Sequence, residues 1–214
     1  MSSPNKSAKL IVFDMDSTLV DVEIIDELAK AAGVGDEVAR ITRKAIRGEI
    51  DFEEALKVRV QLLQGLPEAD IKRIAKKAPI MRGAKRLIGE AKSRGYKTAM
   101  ITGSFMTAAE IIGKKLDLDY VISNELAVKD GVLTGEVKGP LMTLGSKERA
   151  LVQIATSEGI PLKNCVVVGD GANDLDMFKS AGLSIAFNAN SVLRDVADIV
   201  ITQKNLELII PLLP

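Results

Sequence analysis

The chain has 214 residues with 29 basic and 29 acidic side chains, so its formal charge is zero and no global field favours nucleic acid or an anionic membrane. It contains no histidine, one cysteine, no tryptophan and only 3% aromatic residues. Ser-His-Asp triads, histidine-ligated zinc or iron, internal disulfides and base-stacking platforms are thereby excluded, and catalysis is left to carboxylates, lysine, arginine, hydroxyls and backbone amides.

The N-terminal segment MSSPNKSAK lacks the apolar stretch of a signal peptide. No apolar run approaches the roughly 20 residues that cross a bilayer, so a cytoplasmic protein is expected. The first strand-like run is KLIVF (9–13), followed much later by KTAMIT (97–102), YVIS (120–123), CVVVG (165–169), LSIAF (183–187) and DIVIT (198–202). These runs are continuous rather than alternating, the pattern of strands covered on both faces, and helix-like stretches separate them. The expected fold class is α/β, a doubly wound and mostly parallel sheet. Cys165, at the head of CVVVG, reads as a small buried hydrophobe rather than a nucleophile.

Residues 19–81 break this rhythm, because helix signals follow one another without a strand. Asp21 can cap a helix ending at Gly33, and Asp36 can start another ending near Gly48. Asp51 with Glu54 resembles a capping box for a third helix that stops before Gly65, and Pro67 suits the first turn of a fourth. The expected division is a catalytic core of residues 8–18 and 82–214 with a helical cap, 19–81, inserted into it. Further on, NELAVKDGVLTGEVKG (124–139) alternates around Asp130-Gly131 and predicts a two-stranded hairpin flap. The apolar tail LELIIPLLP (206–214) can serve either a homodimer partner or the chain's own core.

In an open α/β sheet, ligands bind beyond the carboxyl ends of the strands. Those ends carry Asp14 and Asp16, then Thr102-Gly103-Ser104, then Asp170-Gly171-Ala172-Asn173-Asp174. Four carboxylates gathered there repel one another, roughly 4 kcal/mol for a pair about 4 Å apart at an effective dielectric near 20. A cation among Asp14, Asp16, Asp170 and Asp174 relieves that repulsion, and hard oxygen ligands without imidazole or thiolate suit Mg²⁺. Lys147, at the start of a helix, supplies a second cation. Thr102 and Gly103, where a strand is expected to end and a helix to begin, offer a hydroxyl and backbone amides to an anion. Metal-holding carboxylates facing anion-holding donors describe a phosphate-ester site, with Asp14 as nucleophile and Asp16 as the acid that protonates the leaving alkoxide and later activates water.

The segments DMDSTLV, ITGS, Lys147 and GDGANDLDM resemble, in order, the four motifs of the haloacid dehalogenase superfamily of phosphatases. Beyond them, LVDVEIIDELAKAAGV, DFEEALKVRVQLLQGLP and VKDGVLTGEVKG are similar to the phosphoserine phosphatases within that superfamily. The resemblance implies an Mg²⁺-dependent phosphomonoester hydrolase working through an aspartyl-phosphate. Asp14, the Asp16 carbonyl and Asp170 would hold the metal, while Asn173 and Asp174 would support the phosphate and the Lys147 network. Arg59 shares one predicted helical stripe with Phe52, Leu56 and Leu63 and is matched to a carboxylate, and Glu23 is placed to meet an ammonium. Together they would select a small zwitterion such as phosphoserine. One departure stands out: many phosphoserine phosphatases read Ser-Gly-Gly where this chain has Thr102-Gly103-Ser104. The competing readings are a phosphatase for another metabolite, such as a sugar phosphate or phosphoglycerate, and a phospho-aspartate receiver module.

Overall fold

The computed structural model describes residues 8–214, so the segment read for a targeting signal lies outside them apart from Ala8 and Lys9. Strand β1 (Lys9–Phe13) is fully buried from Leu10 onward. Its side chains alternate between the two faces of the sheet: Ile11 and Phe13 join the larger hydrophobic core, Leu10 and Val12 the smaller one. Removing each such side chain from water contributes about 1.5–3 kcal/mol, which is why a run without polar interruption settles at the centre.

The chain then leaves the sheet for α1 (Ile24–Ala31), α2 (Gly35–Ile46), α3 (Phe52–Gln61) and α4 (Glu68–Lys77), and returns through α5 (Ala84–Ser93). It continues as β2 (Tyr96–Phe105), α6 (Met106–Leu116), β3 (Tyr120–Lys129), β4 (Val132–Lys138), α7 (Ser146–Ser157) and β5 (Cys165–Gly169). Then come α8 (Leu175–Ser180), β6 (Leu183–Phe187), α9 (Ser191–Arg194), β7 (Ile199–Ile201) and a 3-10 tail, Leu206–Leu212. The seven strands lie in the order β4-β3-β2-β1-β5-β6-β7, all neighbours parallel except the β3–β4 pair. This is the mostly parallel, doubly wound sheet that the buried runs imply. Winding proceeds outward on both sides of β1, so the crevice where the connections diverge opens between β1 and β5. Among the described residues no helix is long and apolar enough to cross a membrane.

The helical insertion leaves and rejoins the core through one neck. Asp21 N–H donates to Pro79 O at 2.9 Å and Met81 N–H to Leu19 O at 2.8 Å, with Val20 and Ile80 bridged between them. That neck corrects the first helix boundary. Asp21 does not cap α1, since its amide is used in the neck and its carboxylate pairs with Lys204 at 2.5 Å; α1 begins only after Glu23. Likewise α2 starts at Gly35 after Val34, leaving Asp36 in its first turn, and Pro67 stands at the N-cap of α4 rather than inside it. Asp51 behaves as expected, accepting the Glu54 amide at 2.7 Å.

The hairpin is present, and its turn places Asp130 (φ 53°) and Gly131 (φ 79°) in the left-handed region, as a tight two-residue turn demands. It is an extension of the main sheet rather than a free flap. Its outer strand is stitched to the α3–α4 loop: Gly65 N–H donates to Leu133 O, Leu133 N–H to Leu66 O and Glu68 N–H to Gly131 O, each at 2.9 Å. The tail turns inward on its own core, burying Leu206, Ile209 and Leu213, and the Tyr96 hydroxyl donates to Pro214 O at 2.8 Å.

Candidate active site

At the diverging crevice, the Asp14 amide donates to Val168 O at 3.0 Å, which ties the end of β1 to β5 and sets Asp14 beside Asp170. From the first turn of α7, Lys147 reaches into this point and is buried to 3% exposure. Its Nζ lies 2.9 Å from Asp14 Oδ1 and 2.7 Å from Asp174 Oδ1. The Met15 amide also donates to Asp14 Oδ1, at 2.7 Å. Two donors therefore fix one oxygen of Asp14, and among the described residues none reaches the other. Gly169 makes room for this cluster: a Cβ there would stand 2.2 Å from Asp174 Oδ2. Thr18 Oγ1 donates to Asp170 Oδ1 at 3.0 Å and so orients that carboxylate.

A cavity of about 200 Å³ opens above the cluster, lined by Asp14, Asp16, Asp170 and Asn173 below and by Glu23, Phe52, Leu56 and Arg59 from the helical insertion. Asp16 turns one oxygen to the Ile24 amide at 3.0 Å, the residue that opens α1. Ser17 adopts φ 55°, a conformation that costs a non-glycine residue about 1–2 kcal/mol. The strain brings its hydroxyl to Glu23 Oε1 at 2.6 Å and fixes that carboxylate at the cavity wall. Arg59 donates through Nε to Ala55 O at 3.1 Å and through Nη1 to Thr42 Oγ1 at 3.4 Å. Neither bond uses a carboxylate, and among the described residues neither Arg59 nor Glu23 forms an ion pair, so neither charge at the cavity wall is neutralised.

Thr102 and Gly103 do not end β2 as the sequence suggests. The strand runs on to Phe105, and the pairing with β3 slips between Ile101 and Phe105, so that Thr102, Gly103 and Ser104 bulge out toward the cavity before α6 begins at Met106. Within the bulge the Ser104 amide donates to Thr102 Oγ1 at 3.1 Å, leaving the threonine hydroxyl proton free. Asn124, fully buried, holds the bulge from behind. Its Nδ2 donates to Gly103 O at 3.0 Å and Leu141 O at 3.1 Å, while its Oδ1 accepts from the Leu141 amide at 2.9 Å.

The acidic groups strain against one another. Asp170 is pushed up to about 8, first by burial and then by Asp14, Asp174 and Glu23. Burial lifts Asp174 to about 6 against the pull of Lys147. Asp16 stands well above the ordinary carboxylate range through burial and the nearby charges of Glu23 and Asp14. Glu23 is raised by burial, which outweighs its hydrogen bond from Ser17. Burial works against the charge on Lys147, yet Asp14 and Asp174 overcome it and hold its pKa above the usual lysine value.

One oxygen from each of Asp14, Asp170 and Asp174 lies within 4.8 Å of the others, a spacing at which they could hold one ion. The donors are all hard oxygens, and carboxyls raised by burial and by one another's charge are groups that a divalent cation would stabilise. The residues present thus fit a hard divalent metal. The Asp16 carboxylate is not part of that cluster, being turned to Ile24.

A family model described as haloacid dehalogenase-like hydrolase matches residues 11–179, a span that contains every one of these groups. The chain belongs to that family. This haloacid dehalogenase-like hydrolase is 51% identical to a phosphoserine phosphatase of Archaeoglobus fulgidus over 96% of its own length, and spans 60% of that relative. It is 48% identical to a phosphoserine phosphatase of Methanocaldococcus jannaschii, covering 94% of this chain and 95% of the other. Among solved structures, a phospho-aspartyl intermediate analogue of phosphoserine phosphatase superposes with a TM-score of 0.93 at 46% identity, covering 98% of this chain and 100% of that one. A substrate-bound phosphoserine phosphatase complex gives the same values. Membership in the hydrolase family excludes the receiver-module reading.

The fold brings Asp14, Asp16, Glu23, Arg59, Thr102, Gly103, Asp170 and Asn173 to one cavity, with Lys147 and Asp174 sealed beneath it. Sequence reasoning missed Ser17, Thr18 and Asn124. Thr18 lies inside the first motif and could have been singled out for that reason. Ser17 and Asn124 act through a positive φ and a long-range side-chain bond, which no local pattern announces.

Proposed function

We propose that this hydrolase converts O-phospho-L-serine to L-serine and inorganic phosphate through an aspartyl-phosphate on Asp14. The observation that carries the reading is the presence of opposite charges without ion-pair partners, Arg59 and Glu23, in the wall of the cavity that also contains Asp14. A zwitterion with a carboxylate and an ammonium satisfies both, and a neutral or singly charged ester leaves one of them desolvated without a partner. The names of the relatives support the same substrate.

In this reading Lys147 and the Met15 amide hold Asp14 Oδ1, so the free Oδ2 attacks phosphorus. Thr102, the Gly103 amide and Asn173 bind the non-bridging oxygens. The raised pKa of Asp16 keeps a proton available for the leaving alkoxide, and the carboxylate so formed takes a proton from the water that later hydrolyses the acyl phosphate. Asp14 and Asp170, with the Asp16 carbonyl, would hold Mg²⁺, and Asp174, which lies in the same carboxylate cluster, also pairs with Lys147. When bound, the ion neutralises charge on the transferring phosphoryl group. We place the boundary of the cap at the neck, so that residues 19–81 cover the core formed by 8–18 and 82–214.

The test compares kcat/KM for phosphoserine with phosphoethanolamine, which lacks the carboxylate, and with the phosphate ester of 3-hydroxypropionate, which lacks the amine. Each omission is expected to cost at least about tenfold, because a site built for a polar group is left unsatisfied without it. Equal values across the three esters, or a sugar phosphate turned over faster, would defeat the assignment.

A further inference from the structure

Among the described residues, a single buried side-chain oxygen or nitrogen lacks any hydrogen-bond partner, and it is Ser104 Oγ. Ser104 is 6% exposed, and it lines the same cavity as Asp16 and Glu23. Its backbone is pinned by the bond from its amide to Thr102 Oγ1, which fixes where the side chain leaves the bulge. A buried hydroxyl without a partner costs about 1–3 kcal/mol, and a fold that has a ligand to bind recovers that cost when the ligand arrives. Ser104 and Asp16 line the same cavity wall, and no hydrogen bond joins them.

The other polar features of the ester are already provided for. Thr102, Gly103 and Asn173 face the non-bridging oxygens, Arg59 the carboxylate and Glu23 the ammonium, which leaves the bridging oxygen beside Asp16. We infer that the Ser104 hydroxyl donates to that bridging oxygen and holds it against Asp16. The inference rests on the hydrolysis proposed above. As Asp14 Oδ2 bonds to phosphorus and the P–O bond breaks, the electron pair passes to the bridging oxygen. Asp16 gives up its proton to it, and the Ser104 O–H keeps its own proton while its hydrogen bond to the developing alkoxide strengthens. Ser104 is thus a catalytic residue whose contribution grows with the basicity of the leaving group.

The test uses Ser104→Ala and Ser104→Gly in the metal-loaded full chain, with phosphoserine and p-nitrophenyl phosphate as substrates. The aryl oxide leaves readily without help. Both variants are expected to lose about 10- to 100-fold in kcat on phosphoserine, to stay within about threefold of the parent on the aryl ester, and to keep the parent's inhibition constant for inorganic phosphate. Equal losses on the two esters would mean a structural role, and full activity on phosphoserine would mean no contact; either overturns the inference. Asp16→Asn, run alongside, separates the two claims. If it is inactive on phosphoserine while the Ser104 variants are unaffected, only the Ser104 inference falls, whereas an active Asp16→Asn removes the acid on which both depend.

Discussion

Lys147 Nζ lies 2.9 Å from Asp14 Oδ1 in a site from which solvent is nearly absent. Since Asp174 completes the pair from the other side, removing the ammonium strands two carboxylates. Lys147→Met is expected to abolish turnover and to lower stability by about 3–5 kcal/mol, the usual cost of breaking a buried ion pair from one side. Adding Asp174→Asn to it should restore part of the stability and none of the activity. Chemical denaturation and phosphate-release assays on the single and double variants check this, and an additive loss in the double variant would contradict it.

Asp170 at about 8 and Asp174 at about 6 hold protons more tightly in the folded chain than an unfolded carboxyl near 3.9 does. A raised folded pKa contributes stability that is complete below the unfolded value and is lost as pH rises through the folded one. The metal-free protein should therefore lose stability steadily between about pH 4 and about pH 8. Mg²⁺ held at the proposed site would compete with those protons, so it should raise the melting temperature more at about pH 8 than at about pH 5. Melting curves with chelator and with Mg²⁺ at both pH values decide the matter; an equal or larger shift at the lower pH would place the ion elsewhere.

Asn124 supports the bulge without touching the cavity. Asn124→Ala leaves the Gly103 carbonyl and the Leu141 amide without their partner and is expected to cost about 1–3 kcal/mol of stability. Because the bulge positions Thr102 and Gly103, kcat/KM should also fall by about 10- to 100-fold. Thermal melts and steady-state kinetics on the same preparation test both, and a variant that melts early yet turns over normally would detach Asn124 from the reaction.

Ser17 couples strain to recognition. Ser17→Gly removes the cost of φ 55° and also removes the hydroxyl that holds Glu23. Stability should be unchanged or rise by up to about 1 kcal/mol. KM for phosphoserine should rise several-fold while KM for the ester without an amine stays put. The same rise for both esters would show that Ser17 serves the backbone alone.

The strand ends were legible because the chemistry itself dictates their residue types. Asp14, Asp16, Asp170 and Asp174 announce themselves as acids that follow apolar runs, and the absence of histidine and near absence of cysteine leave few other reagents. Helix starts were less legible, because a residue suited to a cap can be engaged elsewhere, as Asp21 is by Pro79 and Lys204. The bulge at Thr102 was hidden for another reason: pairing resumes at Phe105, so the run reads as strand followed directly by helix, and only the slipped register reveals the detour. Asn124 sits in an ordinary strand sequence, and its reach to Gly103 depends on two strands lying side by side.

The neck at Leu19–Asp21 and Pro79–Met81 also bears on how the molecule assembles. β1 precedes its neighbours, which begin at Tyr96 and Cys165, so this buried strand must wait for partners. Once residue 21 meets residue 79, the distance the chain must bridge to bring Phe13 against Met100 is shortened to a few short segments, which lowers the loop-closure entropy of pairing β1 with β2. An insertion that lengthens the sequence between two strands thereby acts, once folded, as the clip that brings them together.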